Sequence, residues 1–231
     1  MDLLVAYCRQ IGVSLSQQQI EAFETYRENL YRLNEVMNLT RVPFEECETR
    51  HFVDSLLVAE FVPQGASVLD IGTGPGLPAW PLACARADLR VTAMDSSGKM
   101  LRALEAVPLE NLTVRQRRAE DVDGSESFDL VTGRAVAPLV QQLEVSAAWV
   151  KVGGCVVPFR TPNERDEVEK SKPSVFGLAL ESIEERRLPH TDALRLFPLF
   201  RKTKPTPKRF PRTWAEIRST PLSPPEERGR G

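Results

Sequence analysis

The 231 residues are 42% hydrophobic and 27% charged, ordinary proportions for a folded domain and enough chain to bury a core without staples. The net charge of −2 argues against a body coated for nucleic acid, and no apolar run approaches the length of a membrane span. Met1-Asp2-Leu3-Leu4 has no basic leader, Cys8, Cys47, Cys84 and Cys155 stand far apart, and there are two histidines; free thiols, a cytoplasmic location and no metal site are expected.

Residues 1–64 read as a helical extension that packs on the core. Ser16-Gln-Gln-Gln19 fits a capping box, with Leu15 and Ile20 at the staple positions. Ile20, Phe23, Leu30, Leu33 and Met37 then recur at helical spacing. A second helical stretch after Pro43 carries His51, Asp54 and Ser55 on one face, at i, i+3 and i+4. A hydrolytic triad is assembled from separate elements, and no G-x-S-x-G occurs, so a hydrolase is not indicated.

From 65 to 202 the chain alternates. Strands are predicted over 67–71, 90–95, 112–117, 128–134 and 153–160, with helices near 78–87, 97–107 and 138–151. That order predicts an α/β fold, a Rossmann-like sheet that is mostly parallel and doubly wound. Pro158 is awkward in the fifth strand, and 163–200 has room for one more helix and an antiparallel strand pair.

The first strand runs into Asp70-Ile-Gly-Thr-Gly-Pro-Gly-Leu77. Gly72, Gly74 and Gly76 permit a tight turn and close approach of a ligand to the backbone. The spacing is G-x-G-x-G, not the G-x-G-x-x-G of nicotinamide enzymes, and favours S-adenosylmethionine (SAM) as the cofactor. Asp95 ends the second strand 23 residues after Gly72, where an acid can accept hydrogen bonds from ribose hydroxyls; its plainer reading is a helix cap. Ligands of open sheets bind at the carboxyl ends of the strands. Ala119 and Glu120, after the third strand, therefore fall within reach of an adenine, and Arg134 after the fourth offers a fork of donors or a surface ion pair.

Residues 203–231 read as a basic, proline-rich tail. The run 201–212 holds six cations and no acid, with Phe210 and Trp214 available to stack on bases; the alternative is a solvated tail. On the first reading the run binds RNA backbone, and deleting 201–218 leaves SAM affinity alone.

Met37-Asn-Leu-Thr40, Arg50-His-Phe-Val-Asp-Ser-Leu56, Asp70–Pro78, Asp95-Ser-Ser-Gly-Lys99 and Gly133-Arg-Ala-Val-Ala137 together resemble the bacterial small-subunit (16S) ribosomal RNA guanine-N7 methyltransferase family RsmG, also called glucose-inhibited division protein B, GidB. The resemblance implies SAM contacts at Gly72, Leu77, Ala119, Glu120 and Arg134, and a cleft partly lined by 38–55. The candidate substrate-binding residues are Asn38, His51, Lys99, Arg134, Arg160, Lys208, Arg209 and Arg212, with Lys99 and Arg134 read as gripping phosphate or the methionine carboxylate of SAM. The partner would be ribosomal RNA or a small-subunit assembly particle, met by a monomer, with no membrane. Guanine N7 already carries a lone pair, so no general base is expected. Two other functions fit the residues: a SAM-dependent methyltransferase of a small molecule or protein, and a nonenzymatic ribosome-associated RNA-binding module.

Overall fold

The computed structural model describes residues 1–122 and 127–222; the stretch 223–231 of the expected tail lies outside the described residues. Two helices come first, α1 (Asp2–Gln10) and α2 (Gln17–Met37). The capping box forms: Gln19 N–H donates to Ser16 Oγ at 3.2 Å, and Ser16 N–H donates to Gln19 Oε1 at 2.8 Å. α2 stops where Asn38 turns left-handed (φ 52°). A π-helical turn, Glu48–Val53, continues into α3 (Asp54–Leu56) and a 3-10 turn, and buries His51, Asp54 and Ser55.

The sheet follows in chain order as β1 (Ser67–Ile71), α4 (Ala79–Ala85), β2 (Arg90–Asp95), α5 (Gly98–Glu105), β3 (Leu112–Gln116), β4 (Phe128–Arg134), α6 (Leu139–Ala147) and β5 (Val150–Phe159). Then come α7 (Arg165–Glu169), β6 (Leu178–Arg187), β7 (Leu194–Lys202) and α8 (Trp214–Ser219). The spatial order is β3-β2-β1-β4-β5-β7-β6. β1 to β5 are parallel, and β7 runs antiparallel to both its neighbours. Strand order reverses between β1 and β4, which opens a crevice at their carboxyl ends.

The boundaries between α6 and β5 differ most from the sequence reading. α6 ends at Ala147 and β5 begins at Val150, three residues ahead of its predicted start, and the Gly153-Gly154 pair lies in an irregular stretch of that strand, with Gly153 at φ 87°. Pro158 is tolerated because the β5–β7 ladder lapses there. Val156 pairs with Phe200 and Arg160 with Leu196, so Pro158 falls opposite Pro198, and neither has an N–H to give.

Each face of the sheet has its own core. On one, α2 packs on α4 through Phe23, Tyr26 and Trp80, with Tyr26 stacked on Trp80 at 4.3 Å and Phe23 edge-on to Trp80 at 5.2 Å, and Phe52 of the π-helical turn packs on Phe23 and Tyr26. Such pairs add roughly 0.5–1.5 kcal/mol each beyond area burial. On the other, α6 places Leu139 and Leu143 over Val131, Val156 and Phe200.

The end of β7 and the segment after it pack onto this second core, so the described part of the expected basic tail is not solvated throughout. Lys202 is buried and donates to Ala147 O and Thr206 Oγ1. Phe210 is buried edge-on against Phe176 at 5.0 Å, so it is not offered to bases. Arg212 forks onto Glu144, and Ile217 is fully buried.

Candidate functional site

A cleft of about 300 Å³ opens at the carboxyl ends of β1, β2 and β3, bounded by Gly72, Asp95, Ala119 and Glu120. Gly72 sits at φ 65°, and a Cβ there would press on Val136 Cγ2 at 3.1 Å. Gly76 serves packing instead. At φ 106° it passes beneath α5, where a Cβ would run into Leu104. Leu77 is buried, and Gly74, Gly76 and Leu77 shape the loop without lining the cleft.

Asp95 organises the floor. Its Oδ2 accepts the Gly74 N–H at 2.9 Å and its Oδ1 the Ser97 N–H at 2.8 Å. Ser97, not Asp95, is the N-cap of α5. A carboxylate offers about four acceptor positions, so two remain for a ligand's hydroxyls. Behind it, the Thr73 hydroxyl and the Ala79 N–H donate to Asp70 Oδ2. Burial outweighs these bonds and pushes the Asp70 carboxyl up to about 7. The Tyr26 hydroxyl donates to Pro75 O at 2.7 Å, so α2 grips the glycine loop from outside the sheet.

The apolar part of the lining is Ile71, Met94, Val136, Val145 and Trp214, and Arg117 and Arg118 line the cleft as well. Trp149 Nε1 donates to Ala119 O at 2.7 Å and fixes the third loop. A glycine cradle, an acid with acceptor capacity left and an apolar slot suit SAM: hydroxyls to Asp95, the purine against the apolar wall. Trp214 was not read as a cofactor residue in the sequence, since its only local signal is an aromatic ring in a basic run.

A second cleft of about 710 Å³ adjoins the first, and Ala135, left-handed at φ 55°, lines both. Here Asp54, almost fully buried, holds two arginines: Arg134 Nη1 at 2.8 Å from Oδ2 and Arg195 Nε at 2.8 Å from Oδ1. Arg134 thus lines the second cleft and not the first. Arg195 was missed altogether, because β7 brings it to Asp54 across 141 residues and no nearby motif marks it. His51 Nε2 lies 2.7 Å from Thr40 Oγ1. Burial, and then the charge of Arg134, drive the ring down to about 3, so it is neutral at physiological pH. Arg160 lines this cleft, but its guanidinium is bound to Ala137 O, Gln142 Oε1 and Glu164 Oε1.

Five expected contacts fall elsewhere. Asn38 is the exposed C-cap of α2, Lys99 is exposed on α5, and neither lines a cleft. Lys208 and Arg209 are exposed on the segment before α8. Arg212 is committed to Glu144, which is 1% exposed.

Residues 19–193 match the GidB family model, described as rRNA small subunit methyltransferase G. The chain is 36% identical over 227 residues to ribosomal RNA small subunit methyltransferase G of Lachnoclostridium phytofermentans, covering 93% of this chain and 94% of that protein. It is 38% identical over 236 residues to the protein of the same name in Lactobacillus delbrueckii subsp. bulgaricus, covering 96% and 99%. Among solved structures it resembles the putative methyltransferase of Haloferax volcanii in complex with the Trm112 activator, with TM-score 0.56 and 17% identity over 69% of this chain and 93% of that one. It also resembles M. jannaschii TYW2 in complex with AdoMet, with TM-score 0.50 and 16% identity over 64% and 74%. At these identities the structural likeness concerns the fold.

Proposed function

The chain belongs to the GidB family of small-subunit rRNA methyltransferases, and we propose that it transfers a methyl group from SAM to N7 of a guanine in 16S ribosomal RNA, between its two clefts. The observation that carries this reading is their meeting at Ala135. One cleft has the cradle and acid that suit SAM; the other is wider, faces the helical extension and carries arginines.

SAM, when bound, supplies a methyl group already activated on a sulfonium. Guanine N7 has a lone pair and no proton to lose, so the chain's residues need only bind and align. Gly72, Asp95, Ala119 and Glu120 would hold the cofactor, with Gly74, Gly76 and Leu77 setting the loop's shape. Holding the reacting atoms in line is worth roughly 7–11 kcal/mol. The purine gains positive charge as the N–C bond forms and the C–S bond breaks. An unpaired cation beside it would oppose that change. Asp54 offsets one of the two charges of Arg134 and Arg195, and His51 is neutral, so this wall keeps a net positive charge to grip RNA while that penalty is reduced.

One chain's residues complete both clefts, which supports action as a monomer. A ribosomal RNA substrate supports a cytoplasmic setting, and among the described residues no helix is long and apolar enough to cross a membrane.

The test is to incubate the purified protein with methyl-labelled SAM and small-subunit RNA, naked or in assembling particles, and then to cleave chemically at 7-methylguanosine. Label in 16S RNA with a discrete new scission is expected. Label only in protein or small molecules would overturn the RNA reading, and label in RNA without scission would overturn the N7 assignment.

A further inference from the structure

We infer that Trp214, on the segment after the last strand, is a cofactor-binding residue that closes the adenine side of the first cleft. The inference rests on the reading of that cleft as a SAM site. Trp214 is the one aromatic side chain among the described residues that line it. Every other apolar wall there is aliphatic or a methionine, so Trp214 alone can offer an indole face to a purine.

Three anchors fix where this ring stands. Arg212 donates from its backbone N–H at 3.0 Å, from Nε at 2.8 Å and from Nη2 at 2.7 Å to the carboxylate of Glu144. Glu144 neighbours Val145, which lines the same cleft, and the chain just beyond leads to Trp149, the residue that holds Ala119 O. The clamp therefore delivers the segment to the side of the cleft where Ala119 and Glu120 lie. Next, Thr213 and Glu216 form a capping box that starts α8 at Trp214. Finally, Ile217 stands three residues on, along the same helix face, and is fully buried. The indole itself is only half-buried, so it contributes little to the core and remains available to a ligand.

The segment that the sequence presents as a separable RNA tail is thus a wall of the cofactor site. Deleting 201–218 would remove that wall together with the end of β7, contrary to the expectation that SAM affinity survives.

The experiment is titration calorimetry of the full chain, Trp214→Ala and Trp214→Phe with SAM and with 5′-methylthioadenosine, which keeps the adenosine and lacks the amino-acid end. Loss of one base–aromatic contact should weaken both ligands about tenfold or more in Trp214→Ala, and Trp214→Phe should retain most of the affinity. Tryptophan emission gives a second readout: ligand should alter the parent signal more than that of Trp214→Phe, which keeps Trp80 and Trp149. If the parent binds SAM and Trp214→Ala binds it equally well, the inference fails and the reading of the cleft stands. Should Trp214→Ala not fold, an emission response in Trp214→Phe equal to the parent's overturns the inference. A parent that binds neither ligand overturns the SAM reading itself.

Discussion

Both oxygens of Asp95 are engaged by backbone amides, so this one residue sets the loop and also lines the first cleft. Hydrogen bonds to a carboxylate are worth about 1.5–3 kcal/mol each, so Asp95→Ala should weaken SAM binding on the order of tenfold or more. Calorimetry with SAM checks this, and unchanged affinity would reduce Asp95 to a support for α5. Asp70 makes a different prediction, about pH. Its folded-state pKa of about 7 lies above the ordinary value of 3.8 because the carboxyl is buried. Below about pH 4 the folded and unfolded chains are both protonated there, and the group has no effect on stability. Between about pH 4 and pH 7 only the folded chain keeps the proton, so stability falls as pH rises through that window and then levels off. Asp70→Asn keeps the shape and removes the titration. Melting curves should show the Asn variant gaining on the parent as pH rises from about 4 to 7, and a constant difference would mean that Asp70 does not titrate there.

Among the elements, the stretch from β7 to α8 is the one that the sequence misrepresents. Besides its buried Lys202, Phe210 and Ile217, it is held by the Arg212–Glu144 pair, whose carboxylate is 1% exposed. Removing one partner of a buried pair leaves an unsatisfied charge, at a cost of about 3–5 kcal/mol. Arg212→Ala should therefore lower the unfolding free energy by about 3 kcal/mol, read by chemical denaturation, and should release Trp214 from the cleft. A loss under about 1 kcal/mol, the range of exposed pairs, would show that the contact is not sequestered from water. The rest of the sheet is legible because its signals are local. A hydrophobic run, a glycine loop and an acid at a strand end can be read off consecutive residues, and β1, β2 and β4 stand where they were predicted. The substrate side is less legible because its chemistry is non-local. Arg195 reaches Asp54 only through the antiparallel return of β7, and no local signal at Val150-Lys-Val152 shows that the fifth strand starts ahead of Gly153. Charge alone likewise could not distinguish Lys202 and Arg212, which are sequestered, from Lys208 and Arg209, which are exposed.

At the scale of the whole molecule, a chain of net charge −2 has to engage a polyanion, so the placement of its cations matters more than their number. Of the six cations between 201 and 212, Arg201 is paired with Glu181, Lys202 is buried and Arg212 is clamped to Glu144. Lys204, Lys208 and Arg209 are exposed, on the segment that also carries Trp214. These three, and not all six, are therefore the ones expected to meet RNA phosphates. Each single-strand phosphate contact adds about 0.7 to the slope of log affinity against log salt. Replacing Lys204, Lys208 and Arg209 together by glutamine should flatten that slope by about two units. SAM affinity should be unchanged, because none of the three lines the first cleft. Binding titrations of small-subunit RNA over a range of salt concentrations, with SAM calorimetry alongside, separate the outcomes. An unchanged slope would return these residues to an ordinary solvated surface. RNA contact would then fall to the second cleft, where Arg134 and Arg195 stand on Asp54.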